Sequence, residues 1–290
     1  MNGMLAVGAF IGLATGDAMG APLEGLPPRP IAVTEMQGGG IHNTLPGQYT
    51  DDTLQASALA ETLIQCQGFN AEDFAGRLIR VYRTYPGFFG PTSRAVLDLV
   101  ENGLEPEAAA ARVHEERGGS RSNGSVMRGI PIGIFYPPGE VREMSLAASR
   151  VTHFDPVAGE ASAVINRMVS GMCRGEEADA ALGEAVTACR DAELKDLLED
   201  YQAYPPEPSL DAVLCTHCAI RVFMEASSFR EAVVAAVNLG GDADTVGAIT
   251  GGLAGARWGL EAIPESWLSV LQDREELFDR ARRLWSVSRP

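Results

Sequence analysis

Two acidic segments that lie far apart in the chain carry the residue types best suited to chemistry. Residues 50–53 read Thr-Asp-Asp-Thr and residues 242–245 read Asp-Ala-Asp-Thr, and each segment stands at the start of a predicted helix. A single carboxylate at such a position is explained by capping, because its oxygens accept free backbone N–H groups and its charge suits the helix dipole. The second carboxylate in each segment has no such explanation, although either segment alone still favours capping over function.

Taken together, the two segments indicate a site for divalent cations. If the two helix starts meet in the fold, four carboxylates share one pocket, and each like-charge pair at ~4 Å is unfavourable by several kcal/mol when partly buried. Their summed charge of about −4 matches two divalent cations, and oxygen ligands without Cys or His select Mg²⁺, Mn²⁺ or Ca²⁺ over Zn²⁺. We therefore predict a two-metal site.

The second acidic segment also admits two other interpretations. It resembles the aspartyl nucleophile motif of haloacid-dehalogenase-type phosphatases, with Asp242 as nucleophile and Asp244 as acid/base. That motif follows a buried strand and is paired with a downstream lysine, whereas residues 239–241 read Leu-Gly-Gly and the single lysine, Lys195, lies upstream. A calcium-binding loop matches in part, but its twelfth position is Leu253 instead of the bidentate glutamate. Both matches are weak.

The elements that must position these segments are predicted to be helices. Apolar residues recur mainly at three- and four-residue steps, the stripe that an amphipathic helix needs to cover a core, and no strand pattern stands out. We predict helices over residues 54–66, 74–82, 157–172, 178–189, 213–224, 246–258 and 277–285. Loops rich in glycine and proline separate them. Because there is no long polar linker and no internal repeat, we expect one all-α domain spanning residues 1–290.

Composition and charge narrow the class of protein and of partner. Of 290 residues, 46% are hydrophobic and 21% are charged, so the chain can bury a sizeable core. A formal charge of −16 and a pI near 4.7 disfavour nucleic acid as a partner. Uncharged apolar runs are shorter than the roughly 20 residues that a membrane span needs, so we expect no membrane segment and a cytoplasmic protein. The five cysteines indicate reduced core thiols, and Cys215-Thr216-His217-Cys218 is interpreted as core rather than as a zinc site.

Five motifs, taken in order, resemble those of the ADP-ribosylglycohydrolase family, which includes the dinitrogenase reductase-activating glycohydrolases. The motifs are residues 12–20, 49–53, 122–128, 152–153 and 240–245. Each is common alone, but their order is specific and spans nearly the whole chain. The resemblance implies an orthogonal bundle of many α-helices in which the paired acidic helix starts hold two Mg²⁺ or Mn²⁺ ions.

The resemblance also assigns roles to individual residues. By position, the implied metal ligands are Thr50, Asp51, Asp52, Asp242, Asp244 and Thr245. Asp52 is also implied to be catalytic, together with Glu24 as a general acid/base on a mobile loop, although composition alone would make Glu24 a solvated loop acid. The residues implied to contact the nucleotide are Phe88, Gly90, Asn123, Gly124, Ser125, Met127 and His153. Backbone amides of the loop at residues 122–128 are expected to approach the pyrophosphate.

The implied activity is hydrolysis of the glycosidic bond between ADP-ribose and an acceptor, with release of ADP-ribose. The implied substrate is an ADP-ribosylated protein or small molecule, and the enzyme is expected to be a monomer or a homodimer. The acceptor stays open, because residues 86–92 read Pro-Gly-Phe-Phe-Gly-Pro-Thr where arginine-directed members carry an acid. Arg128 is predicted to pair with either a phosphate or an acid. A non-catalytic ADP-ribose-binding or crystallin-like module of the same fold is the alternative.

Overall fold

The computed structural model describes residues 2–289, and every regular element in that range is a helix. Among these residues the β-type contacts are two isolated bridges, Gly39 with Thr44 and Ser122 with Asp211. The α-helices are α1 (Asn2–Gly20), α2 (Asp51–Cys66), α3 (Ala71–Thr84), α4 (Pro91–Glu101), α5 (Pro106–Glu116), α6 (Ile130–Phe135), α7 (Pro138–Ser149), α8 (Pro156–Cys173), α9 (Ala178–Ala188), α10 (Ala192–Glu199), α11 (Ala212–Glu225), α12 (Phe229–Val237), α13 (Ala243–Trp258), α14 (Glu265–Leu268) and α15 (Arg274–Ser286). The predicted all-α fold is confirmed, and a phosphatase fold built on buried strands does not fit.

The centre of the fold is a pair of helices, α1 and α13, that pack backbone to backbone. Small residues recur at every fourth position on the contacting faces, where Gly8, Gly12, Gly16 and Gly20 of α1 meet Gly255, Gly251, Gly247 and Ala243 of α13. A Cβ added at Gly16 would lie 1.9 Å from the carbonyl oxygen of Gly247, so a side chain there would push the helices apart. The close packing places the C-terminal end of α1 beside the N-terminal end of α13.

The amphipathic helices pack around this pair. Helix α8 packs against α6, α7 and α9, and helix α2 packs against α3 and α15. Each helix predicted from sequence is present, beginning at or a few residues before its predicted start. Residues 137–139, expected to be a loop, include the start of α7, because Pro138 occupies the first turn, where proline is accepted.

The cysteines confirm the expectation of reduced thiols, with one correction. All five are free, and four of them are buried, but Cys66 is exposed at the end of α2. The segment at residues 215–218 belongs to the core of α11, where His217 Nε2 lies 2.9 Å from the carbonyl oxygen of Tyr201. This hydrogen bond supports the interpretation of the segment as core rather than as a zinc site.

Helix α1 has the length and apolarity of a membrane span, which corrects the expectation that no such segment exists. Residues 3–23 reach a mean hydropathy of 1.5, but 89% of the apolar window lies buried inside the fold. A helix that is apolar on all sides is expected at the centre of a large core. Packing against α13 therefore accounts for its composition.

Candidate active site

A cavity of about 280 Å³ lies where the N-terminal ends of α2 and α13 meet. All candidate residues from the sequence line it except Thr50 and Ser125. Its two sides are the acidic wall, formed by Glu24, Asp51, Asp52, Asp242 and Asp244, and the loop wall, formed by Ser122, Asn123, Gly124, Met127 and His153. A larger cleft of about 510 Å³ beside residues 29–37 offers one carboxylate, Glu35, which is paired with Arg230. The cavity between the two walls therefore carries the chemistry.

A residue from α1 caps the start of α2. Asp17 Oδ1 accepts hydrogen bonds from the backbone N–H and the hydroxyl of Thr50, at 2.9 and 2.8 Å. Asp17 Oδ2 accepts from the N–H and the hydroxyl of Thr53, at 2.9 and 2.6 Å. The Thr50 hydroxyl thus lies beneath the cavity wall as a donor to Asp17, while its lone pairs stay available. Because Asp17 accepts from the N–H groups of Thr50 and Thr53, it takes the role of a capping acceptor, and capping does not account for two further acids at the start of α2.

The two acids at the start of α2 are therefore left for another purpose. Asp51 Oδ2 accepts a hydrogen bond from Gln55 Nε2 at 2.6 Å, one turn along the helix. Asp52 is almost completely buried, and its Oδ1 has no hydrogen-bond partner. A buried carboxylate oxygen normally has a hydrogen-bond partner, so an unpartnered one is suited to contact a ligand or an ion.

The acids at the start of α13 likewise do not cap their helix. Asp242 stands at the N-cap position without a capping bond from its side chain, and its Oδ2 instead accepts a hydrogen bond from the Asn123 side-chain amide. Asp244 Oδ1 accepts from the N–H of Thr245 at 2.9 Å. Oxygens of Asp242, Asp244 and Glu24 lie within 4.8 Å of one another, a separation compatible with ligands around one metal ion.

Backbone hydrogen bonds hold Glu24 against the start of α13. The N–H of Gly25 donates to the carbonyl of Gly241 at 2.8 Å, and the N–H of Gly241 donates to the carbonyl of Leu26 at 2.9 Å. Gly25 and Gly241 have φ values of +74° and +59°, a region that favours glycine. Glu24 Oε2 also lies 3.0 Å from His42 Nε2, but without the geometry of a hydrogen bond. Glu24 is thus a cavity residue, not a solvated loop acid.

The acids of the site repel one another. Burial, and then the charge of Asp244, raises the pKa of Glu24 to about 8. Burial also raises the pKa of Asp17 to about 7, in spite of the hydrogen bonds from Thr53 and Thr50. Burial and neighbouring carboxylates likewise raise well above the usual range the pKa values of Asp51, Asp52 and Asp242. Within residues 2–289, these acids make one ion-pair contact, which joins Glu24 to His42.

The chemistry of the acidic wall fits divalent cations. Desolvated carboxylates that raise one another's pKa are stabilised by a bound cation, which displaces their protons. The unpartnered Asp52 Oδ1 offers a ligand atom that nothing else uses. Every donor is an oxygen atom, which favours Mg²⁺, Mn²⁺ or Ca²⁺ over Zn²⁺. The two acidic segments do converge, and within residues 2–289 no arginine or lysine forms an ion pair with them or lines the cavity.

The loop wall is uncharged. His153 Nδ1 lies 2.8 Å from the hydroxyl of Thr152, and Nε2 lies 3.1 Å from the hydroxyl of Ser122. Burial, helped by the charge of Arg128, lowers the pKa of His153 to about 3, so the imidazole is neutral at physiological pH. A Cβ added at Gly124 would come within 2.6 Å of His153 Cε1, so the glycine backbone lies directly against the ring. Both features hold the imidazole in one place.

Two residues of the predicted nucleotide loop have contacts that change their roles. The backbone N–H of Asn123, expected to approach a pyrophosphate, donates instead to the carbonyl of Leu210 at 2.9 Å. The side chain of Asn123 joins the two walls through its bond to Asp242. The Ser125 hydroxyl donates to the carbonyl of Ala158 at 3.3 Å, so it packs against α8 instead of lining the cavity.

The aromatic pair at residues 88 and 89 is divided between cavity and core. Phe88 lines the cavity, with its ring stacked on Tyr85 and its neighbour His42 at 5.0 Å between ring centroids. Phe89 is buried and packs on Tyr82. Of the two rings, only Phe88 is placed to contact a ligand, and Gly90 beside it also lines the cavity.

The hydrogen bonds of Arg128 go to neutral groups of the protein and not to an acid, while its pairing with a phosphate stays a prediction. Its side chain is 1% exposed and donates to Gln55 Oε1 at 2.8 Å and to the Thr152 hydroxyl at 2.7 Å. The guanidinium also lies 5.2 Å from the centre of the Phe74 ring. Arg128 does not line the cavity, and among residues 2–289 no carboxylate accepts a hydrogen bond from it.

Asp17 and Gln55 support the site, yet the sequence gives them no explicit role. The available signal for Asp17 is that it is the one charged residue in the apolar helix α1. For Gln55 the signal is weaker, since its place one turn after Asp51 on α2 is also compatible with an exposed amide. The roles of the predicted site residues themselves stay predictions, while their positions on the two walls are set by the fold.

The chain is similar over nearly its whole length to known proteins of one family. The model of the ADP-ribosylglycohydrolase family matches residues 5–290. The ADP-ribosyl-[dinitrogen reductase] glycohydrolase of Rhodospirillum rubrum is 31% identical over 283 residues, covering 93% of this chain and 91% of that protein. The ADP-ribosylarginine hydrolase Tri1 of Serratia proteamaculans is 29% identical over 290 residues, covering 98% and 79%. A solved structure described as an ADP-ribosylglycohydrolase-related protein complex has a TM-score of 0.88 at 37% identity and covers 99% of both chains.

Proposed function

Because the chain belongs to the ADP-ribosylglycohydrolase family, we propose that it hydrolyses the glycosidic bond between ADP-ribose and an acceptor group. The products are ADP-ribose and the unmodified acceptor, which is a protein side chain or a small molecule. One observation carries the proposal: five carboxylates from three separate segments converge on one cavity, with no lysine or arginine among the residues that line it. At the start of α2, Asp17 already accepts backbone N–H groups, so Asp51 and Asp52 are not needed to cap the helix.

The acidic wall lies where the reaction needs negative charge. The bond between the anomeric carbon of the ribose and the acceptor breaks, a water oxygen bonds to that carbon, and a proton passes to the acceptor. Positive charge develops on the sugar carbon as the bond breaks, as in glycoside hydrolysis generally. Preorganised carboxylates beside that carbon stabilise the charge without having to reorganise.

Glu24 is the proposed general acid/base. Burial and Asp244 raise its pKa to about 8, so its carboxyl can hold a proton at neutral pH. Its Oε2 has no hydrogen-bond partner within residues 2–289, which leaves that atom free to exchange a proton with the acceptor or the water. Asp52, whose Oδ1 is equally free, is proposed to act beside it by orienting the reacting groups.

We propose that the acidic wall holds two Mg²⁺ or Mn²⁺ ions. The proposed ligands are Thr50, Asp51, Asp52, Asp242, Asp244 and Thr245. When bound, the ions would offset part of the carboxylates' negative charge, orient the ribose hydroxyls and activate water, and would leave the wall net negative. Asp17 then orients the Thr50 hydroxyl, and Gln55 orients Asp51, as supporting residues behind the ligands.

The loop wall and Phe88 are proposed to receive the nucleotide part of ADP-ribose. The Phe88 ring is the aromatic face available at the cavity, and stacking on a base is worth ~1 kcal/mol or more. The Ser122 hydroxyl, which the neutral imidazole of His153 contacts, offers a hydrogen bond to the sugar and phosphate oxygens. Because His153 stays uncharged, recognition at this wall relies on hydrogen bonds and not on ion pairs.

The proposal is tested by a turnover panel. ADP-ribosylated arginine, serine and cysteine peptides, together with ADP-ribosylated guanidine, are incubated with the protein, with Mg²⁺, with Mn²⁺ or with EDTA, and released ADP-ribose is measured. We expect release from at least one substrate, abolished by EDTA and restored by the cation. Binding of ADP-ribose without release from any substrate would favour the alternative, a non-catalytic module of the same fold, and undiminished release in EDTA would contradict the metal site.

A further inference from the structure

Arg128 carries a positive charge in the core, and no carboxylate of residues 2–289 accepts a hydrogen bond from it, although the charge of Asp51 acts on it. A buried charge is normally paired, because leaving water is costly for an ion. Burial lowers the pKa of Arg128 to about 9, so the guanidinium is still charged at neutral pH. Its hydrogen bonds go to neutral oxygens, those of Gln55, Thr152 and the Ala148 carbonyl. The hydrogen bonds of Arg128 to three neutral oxygen atoms therefore have a purpose besides charge pairing.

The guanidinium sets the direction of two hydrogen-bond chains. Arginine has only donors, so each atom that it contacts must accept. Along the first chain, Gln55 Oε1 accepts from Arg128, which fixes the orientation of the amide. Gln55 Nε2 is therefore the group that points at Asp51 Oδ2 and donates to it. This chain ends at the acidic wall, where it stabilises the ionised form of Asp51.

The second chain of hydrogen bonds runs from Arg128 through Thr152 and the imidazole of His153 to Ser122. The Thr152 hydroxyl accepts from Arg128, and its other hydrogen-bond contact among residues 2–289 is with His153 Nδ1, at 2.8 Å, so the hydroxyl is placed to donate to that nitrogen. A nitrogen that accepts carries no hydrogen, so the ring hydrogen must be on Nε2. Nε2–H then donates to the Ser122 hydroxyl, which lies 3.1 Å away. The hydrogen of Ser122 is left to point into the cavity that this residue lines.

We propose that Arg128 is a positioning residue that fixes the Nε2–H tautomer of His153 and thereby makes Ser122 a hydrogen-bond donor to the ligand. The Ser122 hydroxyl would donate to an acceptor oxygen of the ligand, such as a phosphate or hydroxyl oxygen of ADP-ribose. The identity of that ligand depends on the proposed function, whereas the tautomer does not. Arg128 touches no ligand itself and acts on both walls through Gln55 and Thr152.

The tautomer is measured directly in the free protein. Protein labelled with ¹⁵N-histidine is studied by long-range ¹H–¹⁵N correlation NMR at neutral pH, and a His153→Gln variant assigns the signals among the four histidines. We expect a proton on Nε2 of His153 and none on Nδ1. A proton on Nδ1, or on both nitrogens, overturns the proposal.

Substitutions at Arg128 test whether it sets that tautomer. In Arg128→Met, no guanidinium holds the Thr152 hydroxyl in the acceptor orientation, so the hydroxyl can turn and accept from Nδ1, and protonated Nδ1 should appear. The Kd for ADP-ribose, measured by calorimetry with Mg²⁺ present, should rise about tenfold, the loss of one hydrogen bond. Arg128→Lys keeps a donor-only group and should keep the Nε2–H tautomer. A folded Met variant with wild-type tautomer and affinity overturns the proposal, and so does a folded Lys variant that loses the tautomer.

The end of the chain is tested at Ser122. Ser122→Ala should weaken ADP-ribose binding about tenfold and leave the His153 tautomer unchanged. The matched control is Ser269→Ala, because the Ser269 hydroxyl donates to the carbonyl of Ser266 on an exposed surface and neither residue lines the cavity. Equal affinity of Ser122→Ala and wild type overturns the donor role of Ser122. Failure of the wild-type protein to bind ADP-ribose contradicts the proposed function instead, and the tautomer measurement still decides the role of Arg128.

Discussion

The two walls of the cavity bury polar groups under opposite conditions. The acidic wall gathers carboxylates that raise one another's pKa, and atoms such as Asp52 Oδ1 have no partner at all. The loop wall gathers neutral groups whose hydrogen bonds are made, from Ser122 through His153 to Thr152, with the charged Arg128 behind them. A wall that is satisfied in advance is a preformed surface, whereas the unsatisfied wall would be completed by the cations that we propose.

The comparison separates two kinds of binding within one site. Cations should control the stability and the reactivity of the acidic wall, and should have little influence on the geometry of the loop wall. The nucleotide should depend mainly on the loop wall and Phe88. Asn123 is the direct link, because its side chain bonds to Asp242 while its backbone belongs to the loop. Four experiments test this separation.

The largest effect is expected when a carboxylate is removed from the acidic wall. Asp52→Asn should lower turnover by about a thousandfold, the scale associated with losing one preorganised electrostatic group. Without cations, the same variant should be at least as stable as wild type, because a buried repulsive charge is gone. Turnover assays and thermal unfolding in EDTA measure the two effects. The control is Asp196→Asn, an exposed acid on α10, and a parallel loss of stability and activity in Asp52→Asn would contradict the interpretation.

The next effect concerns the helix contact beneath the acidic wall. In Gly16→Ala, the added Cβ meets the Gly247 carbonyl, so α1 and α13 must separate and Asp17 moves with α1. Overpacking of this kind should lower the free energy of unfolding by about 3 kcal/mol and should also weaken Mg²⁺ binding. Urea unfolding and calorimetry measure these changes. Gly183→Ala is the control, since a Cβ there meets nothing on an exposed face of α9, and it should be neutral or slightly stabilising.

A moderate effect is expected from pH in the absence of cations. The usual pKa values of Asp17 and Glu24 are 3.8 and 4.5, and the fold raises them to about 7 and about 8. Between these limits the folded protein binds more protons than the unfolded chain, so stability should fall as pH rises from about 4 to about 8. Mg²⁺ needs the ionised carboxylates, so the stabilisation it provides should grow over the same range. Thermal unfolding at a series of pH values, with Mg²⁺ and with EDTA, measures both slopes, and a metal-free Tm that rises through this range would contradict the mutual repulsion of the acids.

The smallest effect is expected at the rim of the loop wall. Phe88→Ala should raise the Kd for ADP-ribose about fivefold, corresponding to ~1 kcal/mol of aromatic contact, without changing Mg²⁺ affinity. Tyr85→Ala is the control, because Tyr85 stacks on Phe88 but does not line the cavity, and it should change the Kd by less. Calorimetry with each ligand separates the two walls. A change in Mg²⁺ affinity in Phe88→Ala would show that the walls are not independent.

The fold and the acidic wall could be predicted from sequence because their signals are local. Apolar periodicity marks each amphipathic helix, and two acids at one helix start exceed what capping needs. Helix α1 could not be predicted in this way, because a helix that is buried on all sides has no apolar stripe. Its signal is instead the four-residue spacing of its glycines, which are Gly8, Gly12, Gly16 and Gly20. The reciprocal spacing on α13 becomes meaningful only when the two helices are seen together.

The loop wall could be predicted only in outline, because hydrogen-bond direction is a tertiary property. Sequence places Arg128 in a polar loop, where a phosphate or an acid is the ordinary partner. It cannot show that Gln55 and Thr152, from two different parts of the chain, surround the guanidinium instead. The same limit applies to Ser125, whose hydroxyl bonds to a helix that follows later in the chain.

The union of α1 with α13 has a consequence for biosynthesis. A ribosome that makes roughly 5–20 residues per second leaves α1 waiting on the order of tens of seconds before Trp258 completes its partner helix. During that interval the nascent chain exposes an apolar helix with the hydropathy of a membrane segment, which is a natural client for a chaperone. The cavity is complete only near the end of translation, so we expect a chain that ends before α13 to lack the candidate site and to be prone to aggregate.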